Sequence, residues 1–158
     1  MKFASATPPT PLKTAILRRL SYALAIFTAI LAATQIASWS DFASIFQTYQ
    51  LASAPASAIL AGSVIGLELL SLPFLCRLPL SRGLRRASAS AFVSLPYLWT
   101  YLATSAIFRD LAVSNYGLFG TLIPIGTWQL ALAIELLWMT LVGLTFGAFG
   151  GRKALKLK

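Results

Sequence analysis

The sequence contains no histidine and only one cysteine, and both shortages exclude common kinds of site. Histidine is the usual general base near neutral pH and the commonest metal ligand in proteins. A single thiol, Cys76, leaves no possibility of an internal disulfide, a CxxC pair or a cysteine-rich metal centre. The residues therefore indicate no catalytic group, no bound metal and no cofactor.

Charged residues are also scarce, at 11% of the 158 residues, whereas 58% of the residues are hydrophobic. Soluble domains carry about 25% charged residues and about 45 to 50% apolar residues. A chain with so little charge cannot cover a globule that faces water, so an integral membrane protein is predicted. The formal net charge of +9 does not indicate nucleic-acid binding, because the cations lie between apolar blocks rather than along one exposed stripe.

Four apolar runs are long enough to cross about 30 Å of hydrocarbon, which takes about 20 helical residues. They cover residues 20–39, 56–76, 87–108 and 128–149. The first and third runs contain no formal charge, while the second and fourth contain one carboxylate each, Glu68 and Glu135. The sequence therefore predicts an all-α integral membrane protein built as a bundle of four transmembrane helices.

Lysine and arginine are distributed very unequally among the segments that join these runs. Twelve of the thirteen lie in the N-terminal segment, in the 77–86 loop or in the C-terminal tail, and only Arg109 lies on the opposite side. Short cationic loops are retained in the cytoplasm. Both termini are therefore predicted to be cytoplasmic, in a multi-pass protein of the cell's inner membrane.

The first run can also be interpreted as a secretory signal, since cations precede it and small residues follow it. Its length of about 20 residues exceeds the 7 to 15 of a signal's apolar region, which favours an uncleaved anchor. Residues 1–16 are expected to form a flexible basic leader, because three prolines within residues 8–11 remove amide donors that a helix needs. The membrane domain would then cover residues 17–151, with a basic tail at 152–158.

A short amphipathic helix is predicted directly after the first run. Aromatic residues recur there at near-helical spacing against serine and glutamine, and Ser38 and Ser40 offer capping oxygens. We expect this helix to lie in the outer membrane interface with its rings at headgroup depth. A lid over a pocket between the helices is the alternative. The predicted interfacial anchors are Trp39, Phe42, Phe46 and Tyr49.

Glu68 and Glu135 need an explanation, because an ionisable group inside a span costs roughly 2.5 to 3.5 kcal/mol. No cation lies within the spans, so both carboxyls are expected to be neutral and hydrogen-bonded. They lie about 18 Å and about 10 Å below the outer edge, which argues against a directly shared proton. Structural glue between helices and a site for a proton, quinol or other ligand both stay open. The candidate partners are Thr34, Gln35, Ser94, Tyr97, Thr100, Tyr101 and Thr104.

Small residues recur at every fourth position on two of the runs, as they do in helices that approach one another closely. One ridge comprises Ala58, Gly62 and Gly66, and the other comprises Gly143, Gly147 and Gly151. Gly66 and Glu68 lie about 200° apart around the helix. If the carboxyl points inward to escape lipid, the first ridge points outward, towards a partner helix.

Several short motifs follow one another in a characteristic order. They are Asp41-Phe42-Ala43 and Tyr49-Gln50-Leu51 after the first run, Gly66-Leu67-Glu68-Leu69-Leu70 in the second, and Tyr116-Gly117-Leu118-Phe119-Gly120 in the turn-rich segment before the fourth. This order, over about residues 25–149, resembles the DoxX and MauE group of small four-helix bacterial membrane proteins. MauE-like members often carry Cys-Gly-Cys-Phe-Gly in the last motif. Tyr116 and Leu118 occupy those two cysteine positions, so the thiol redox chemistry associated with that motif is not expected here.

The resemblance implies a non-enzymatic accessory or assembly subunit in a redox or electron-transfer context. Its expected partners are membrane lipid and either another membrane protein or a second copy of the chain. Two alternatives stay open: a quinol-, lipid- or small-molecule-binding protein or carrier that uses Glu68, and a membrane subunit of an oxidoreductase complex. A polar cavity that reaches Glu68 would favour the alternatives, whereas a dry, packed interior would favour the accessory role.

The distribution of cations predicts which introduced cysteines react from each side of the membrane. In a variant whose Cys76 is replaced by Ser, single cysteines at positions 83 and 154 should react with an impermeant maleimide only from the cytoplasm. Cysteines at positions 44 and 115 should react only from outside. Labelling of position 83 from outside would overturn the orientation.

Overall fold

The computed structural model describes residues 11–50, 53–111 and 113–150, with side chains from residue 15 to residue 145 of these ranges. Within them the chain forms five helices. These are α1 (Pro11–Ala37), α2 (Trp39–Thr48), α3 (Ala54–Leu75), α4 (Arg82–Phe108) and α5 (Trp128–Gly150). All except α2 are long and apolar enough to cross a membrane. The prediction of an all-helical chain with four candidate spans is confirmed.

Two of the helices begin five or more residues before the predicted spans. α1 begins at Pro11 and α4 at Arg82, because a helix can continue past the apolar run into water, where its charged side chains are solvated. Residues 11–16, which the sequence analysis assigned to a flexible leader, are therefore helical. Proline is tolerated at the start of a helix, since the amide it lacks would have no partner there. Residues 1–10 of the predicted leader and the predicted tail lie outside the described residues.

The four long helices pack in the order α1, α3, α4, α5 around the bundle. α3 lies between α1 and α4, and α5 packs against α4 but touches α1 only lightly. Because successive helices run in opposite directions, α2 and residues 109–127 lie at the same end of the bundle, which we call the loop end. The opposite end carries the turn at residues 76–81 and is called the basic end.

The aromatic side chains of α2 face the protein interior. Phe42 and Tyr49 have no exposed surface and Phe46 is 3% exposed, whereas Trp39 is 44% exposed. These three rings therefore pack inside the protein, whereas the position of α2 at headgroup depth stays a prediction. The amphipathic pattern indicates an apolar face but not what covers it. Here protein covers it, because α2 folds back over α3 immediately after Ser38.

Residues 109–111 and 113–127 form an irregular segment, called the 109–127 segment, that folds down onto the loop end. Its centre is Asn115, whose Oδ1 accepts hydrogen bonds from the N–H groups of Gly117 (2.9 Å) and Ile125 (3.2 Å). The Nδ2 of Asn115 donates to the carbonyl oxygen of Gly120 at 2.9 Å. The Ser38 hydroxyl does not cap α2 but accepts from the N–H of Thr121 at 3.1 Å. These side-chain bonds supplement the few backbone bonds of the segment, such as the one from the Tyr116 N–H to the Ile125 carbonyl oxygen at 3.0 Å.

Gly120 is a position at which this segment approaches the end of α1 closely. Its φ is 61°, in the left-handed region that other residues rarely adopt. A Cβ built there would collide with the Ser38 hydroxyl and lie 2.9 Å from the Thr34 carbonyl oxygen. No larger residue fits without moving the segment away from α1.

Replacing Gly120 by Ala should therefore destabilise the protein by about 1 to 3 kcal/mol, the cost of a strained backbone and a steric clash. The matched control is Gly66→Ala, because a Cβ at Gly66 meets no atom within 4 Å. Thermal and denaturant midpoints in detergent should fall for Gly120→Ala only. An unchanged midpoint for Gly120→Ala would show that the segment does not hold this position.

Candidate functional site

The first candidate site is centred on the carboxyl of Glu68, in the middle of α3. Glu68 has no exposed surface, and neither has Gln35 of α1. The Nε2 of Gln35 donates to the Oε1 of Glu68 at 3.0 Å, and the same nitrogen donates to the carbonyl oxygen of Leu118 at 3.0 Å. One side-chain amide therefore joins two helices and the 109–127 segment.

Helical periodicity places both side chains inside the bundle. On α3, Glu68 shares its face with the buried residues Ile65 and Ser71, which lie three residues before and after it. On α1, Gln35 lies one turn beyond Leu31, which is also fully buried. The two polar residues thus stand at positions that would hold apolar side chains in an ordinary core, which explains why they must find partners inside the protein.

Three polar atoms around this contact are buried without a hydrogen-bond partner. They are Oε2 of Glu68, Oε1 of Gln35 and Nε1 of Trp99 in α4. The Trp99 indole lies beside the Glu68 carboxyl and interacts with it electrostatically. A neutral carboxyl would carry a hydroxyl on one oxygen, and the Gln35 Oε1 is the acceptor left over in the same pair. An acid–amide pair with two hydrogen bonds would therefore satisfy both residues.

Glu135 of α5 is the second buried carboxyl, at 1% exposed. Its surroundings differ from those of Glu68, since it interacts with Thr100 of α4 and with the phenols of Tyr49 and Tyr116. Among the described residues no hydrogen bond or electrostatic interaction joins it to Glu68. The two carboxyls therefore belong to separate clusters. This agrees with the different depths in the membrane that the sequence predicts for them.

Tyr49, at the end of α2, connects the second cluster to the 109–127 segment. Its hydroxyl donates to the carbonyl oxygen of Tyr116 at 3.0 Å. Burial raises the pKa of the Tyr49 phenol above its ordinary value of 10.0, and the nearby Glu135 adds to the shift. Burial also raises the pKa of Tyr116. The Nη1 of Arg109 donates to the Tyr49 carbonyl oxygen at 3.0 Å, where a cation stabilises the C-terminus of α2.

Tyr97 and Tyr101 belong to neither cluster, so their assignment as partners of the glutamates is corrected. They are 60% and 58% exposed, because each lies two residues from the buried Trp99 and therefore about 200° around α4 from it. Of the seven partners predicted from the sequence, the structure places Gln35 and Thr100 beside a carboxyl. Trp99 was not predicted, because a tryptophan within a span has the pattern of any other apolar residue.

Among the described side chains, the ridge of Ala58, Gly62 and Gly66 does not form one continuous interface. Ala58 is half-buried, and Gly62 lies under the Trp39 ring of α2, whose Cη2 would be 3.6 Å from an added Cβ. Gly66 and Gly143 are exposed and have no neighbour within 4 Å of an added Cβ. The surroundings of Gly147 lie outside the described side chains.

The side chains of Tyr116 and Leu118 are part of the core. Tyr116 is 5% exposed and Leu118 is 1% exposed. Their carbonyl oxygens accept the hydrogen bonds from Tyr49 and Gln35 that hold the segment on the bundle. Both positions therefore contribute packing and backbone acceptors.

Two cavities lie outside these clusters. A cleft of about 250 Å³ separates α1 from α5 and is lined by aliphatic and aromatic side chains, including Phe27, Leu137 and Trp138. A shallow groove of about 610 Å³ follows the exposed side of α4, past Ser94 and Tyr97. Neither cavity is lined by Glu68 or Glu135.

The hydrogen bond of Tyr49 predicts a specific response to alkaline pH. Because the pKa of Tyr49 is raised on folding, its contribution to stability is complete below pH 10 and is lost as the pH rises further. Tyr49→Phe should lower the free energy of unfolding by about 1 kcal/mol near neutral pH and make the alkaline loss of stability shallower. Tyr22→Phe, at a tyrosine that is 45% exposed, is the control. Equal alkaline slopes for both variants and the parent would contradict the prediction.

Comparison with known proteins leaves the site to be interpreted from its own geometry. No protein-family model matches the chain, and no curated protein or solved structure is significantly similar to it.

Proposed function

We propose that the chain is a non-enzymatic integral membrane protein that serves as an accessory or assembly subunit. It acts by binding other membrane proteins through the outward faces of its helices. The observation that carries this proposal is the closed contact between Glu68 and Gln35. A carboxyl that serves as a binding or transfer site must be reachable by its ligand, whereas Glu68 has no exposed surface and is bonded to its neighbour at 3.0 Å.

The partners of Glu68 explain its presence without a ligand. Gln35 bridges the carboxyl and the Leu118 carbonyl oxygen, so the three groups tie α1, α3 and the 109–127 segment together. Interhelical hydrogen bonds of this kind contribute about 0.6 to 2 kcal/mol each in membranes. The packed interior around Glu68 is the arrangement that favours the accessory role over a carrier.

The resemblance to DoxX and MauE proteins supports the same role and adds a redox or electron-transfer setting. In this proposal both termini are cytoplasmic, and the loop end faces the outside of the cell's inner membrane. Thiol chemistry would have to come from a partner, since Tyr116 and Leu118 stand in place of cysteines. Membership of an oxidoreductase complex is one form that the accessory role can take.

A second candidate function is the binding of an apolar ligand, such as a lipid or quinol tail, in the cleft between α1 and α5. The observation that favours it is the cavity of about 250 Å³ lined by aliphatic and aromatic side chains. Glu68 does not line this cleft. A ligand bound there would therefore not contact the Glu68 carboxyl, which was the ligand-binding group predicted from the sequence.

Substitutions at Glu68 test the proposal directly. Glu68→Gln keeps the shape and hydrogen-bonding capacity of a neutral acid, so it should retain both the stability and the proteins that co-purify from native membranes in mild detergent. Glu68→Leu should lower stability by about 1 to 2 kcal/mol, since it leaves the Gln35 amide with one partner fewer.

A double-mutant cycle supplies the control. Gln35→Leu should cost more than Glu68→Leu, because it also removes the hydrogen bond to the Leu118 carbonyl oxygen. The double variant should cost little more than Gln35→Leu alone, because the Glu68–Gln35 contact is already lost. A Glu68→Gln protein that folds normally but loses its cellular phenotype or all co-purifying proteins would overturn the structural role of Glu68. That result would favour a proton or ligand site at Glu68.

A further inference from the structure

The exposed side of α4 differs from the exposed sides of the other candidate spans. It carries hydroxyl groups along its length, which we call the tyrosine face: Ser90, Ser94, Tyr97 and Tyr101, all exposed. The exposed side of α5, by contrast, is dominated by leucines that are 52 to 60% exposed, such as Leu130, Leu136 and Leu137. α4 is also the least apolar of the four candidate spans.

The depth of the tyrosines makes this face unusual. Counted from residue 87, where the apolar run begins, Tyr97 lies about 15 Å along the helix and Tyr101 about 21 Å. Tyrosine in membrane helices normally lies at the interfaces, where its hydroxyl reaches water. Tyr97 lies instead near the middle of a hydrocarbon layer of about 30 Å.

The phenol hydroxyls of Tyr97 and Tyr101 have no partner among the residues that the structure describes. Neither Tyr97 nor Tyr101 forms a hydrogen bond with another described residue, whereas the hydroxyl of Ser94 donates to the carbonyl oxygen of Ser90 in its own helix. Lipid tails offer no hydrogen-bonding group, so a polar group that faces them is unfavourable. A partner that supplies hydrogen bonds at this depth would remove the penalty.

We infer that the tyrosine face binds the same face of a second copy of this chain, in a two-fold symmetric dimer. A two-fold contact brings identical surfaces together and so requires a self-complementary face. A phenol meets this requirement because it both donates and accepts a hydrogen bond. Ser90 and Ser94, four residues apart, are small enough to let the two helices approach closely.

The charges on α4 are compatible with this occupant. No charged residue lies between residues 87 and 108, so nothing within the apolar run repels an identical helix. The nearest cation, Arg86, lies about 6 Å along the helix from Ser90, at the basic end, where a long arginine side chain can extend into water and away from its copy. The same face offers no carboxylate or cation within the apolar run to select a charged partner helix.

This inference adds to the proposed function a binding surface, the tyrosine face, and a partner, a second copy of the chain. It rests on the proposed function in one respect, which is that the chain acts through the outward faces of its helices. Cross-linking tests it in the native membrane. In a Cys76→Ser background, single cysteines at position 90 or 94 should form covalent dimers with an oxidant or a short bismaleimide. Cysteines at positions 66 and 143, where the structure shows open space on α3 and α5, should not.

The hydroxyls are tested separately by the double variant Tyr97→Phe, Tyr101→Phe. Both side chains are exposed and keep their rings, so the fold should persist. The dissociation constant of the dimer, measured by energy transfer at fixed protein-to-detergent ratios, should rise roughly tenfold, as expected for the loss of membrane hydrogen bonds. Tyr22→Phe on the exposed side of α1 is the matched control and should leave it unchanged.

Several outcomes would overturn the inference while leaving the accessory role intact. One is a chain that stays monomeric and uncross-linked at positions 90 and 94 but still co-purifies with another membrane protein. Another is cross-linking at position 66 or 143 in place of 94, which would move the interface to another helix. A dimer whose affinity is unchanged by loss of both hydroxyls would also rule out pairing through the tyrosine face.

Discussion

The amide of Gln35 is the contact on which the loop end of the bundle depends. Hydrocarbon offers no substitute for a missing hydrogen bond, so polar groups inside a membrane protein must satisfy one another. The Gln35 nitrogen serves the Glu68 carboxyl and the Leu118 carbonyl oxygen at once, which fixes the rotation of α1 against α3 and the depth of the 109–127 segment. The close approach of Gly120 to α1 and the bond from Ser38 to Thr121 follow from that depth.

The interior around Glu68 is closed, so contacts with a partner are expected on the outer faces of the helices. The sequence indicates Glu68 as a candidate binding site, yet the carboxyl is hydrogen-bonded to Gln35 and has no exposed surface. The outward phenols of Tyr97 and Tyr101 also lack hydrogen bonds to other described residues, although they are exposed. Another helix can supply hydrogen bonds at that outer face.

The contacts between the 109–127 segment and the helices include two that use backbone acceptors. Tyr116 and Leu118 are buried, and their carbonyl oxygens accept hydrogen bonds from Tyr49 and Gln35. A carbonyl acceptor depends only on the backbone path, which Asn115 and the positive φ angles of Gly117 and Gly120 maintain. These two attachments therefore depend on the shape of the segment's backbone.

The four spans and the short helix after the first were predictable because they depend on local properties. Crossing hydrocarbon requires about 20 apolar residues, and an amphipathic helix requires only its own periodicity. The partner of Glu68 was predictable to the extent that Gln35 was one of few polar groups within the spans. The burial of Phe42 and Phe46, the outward position of Tyr97 and the place of Trp99 beside Glu68 were not. Each of these depends on how a helix is rotated about its axis, and in a membrane that rotation is set by packing against neighbouring helices, which only the tertiary structure contains.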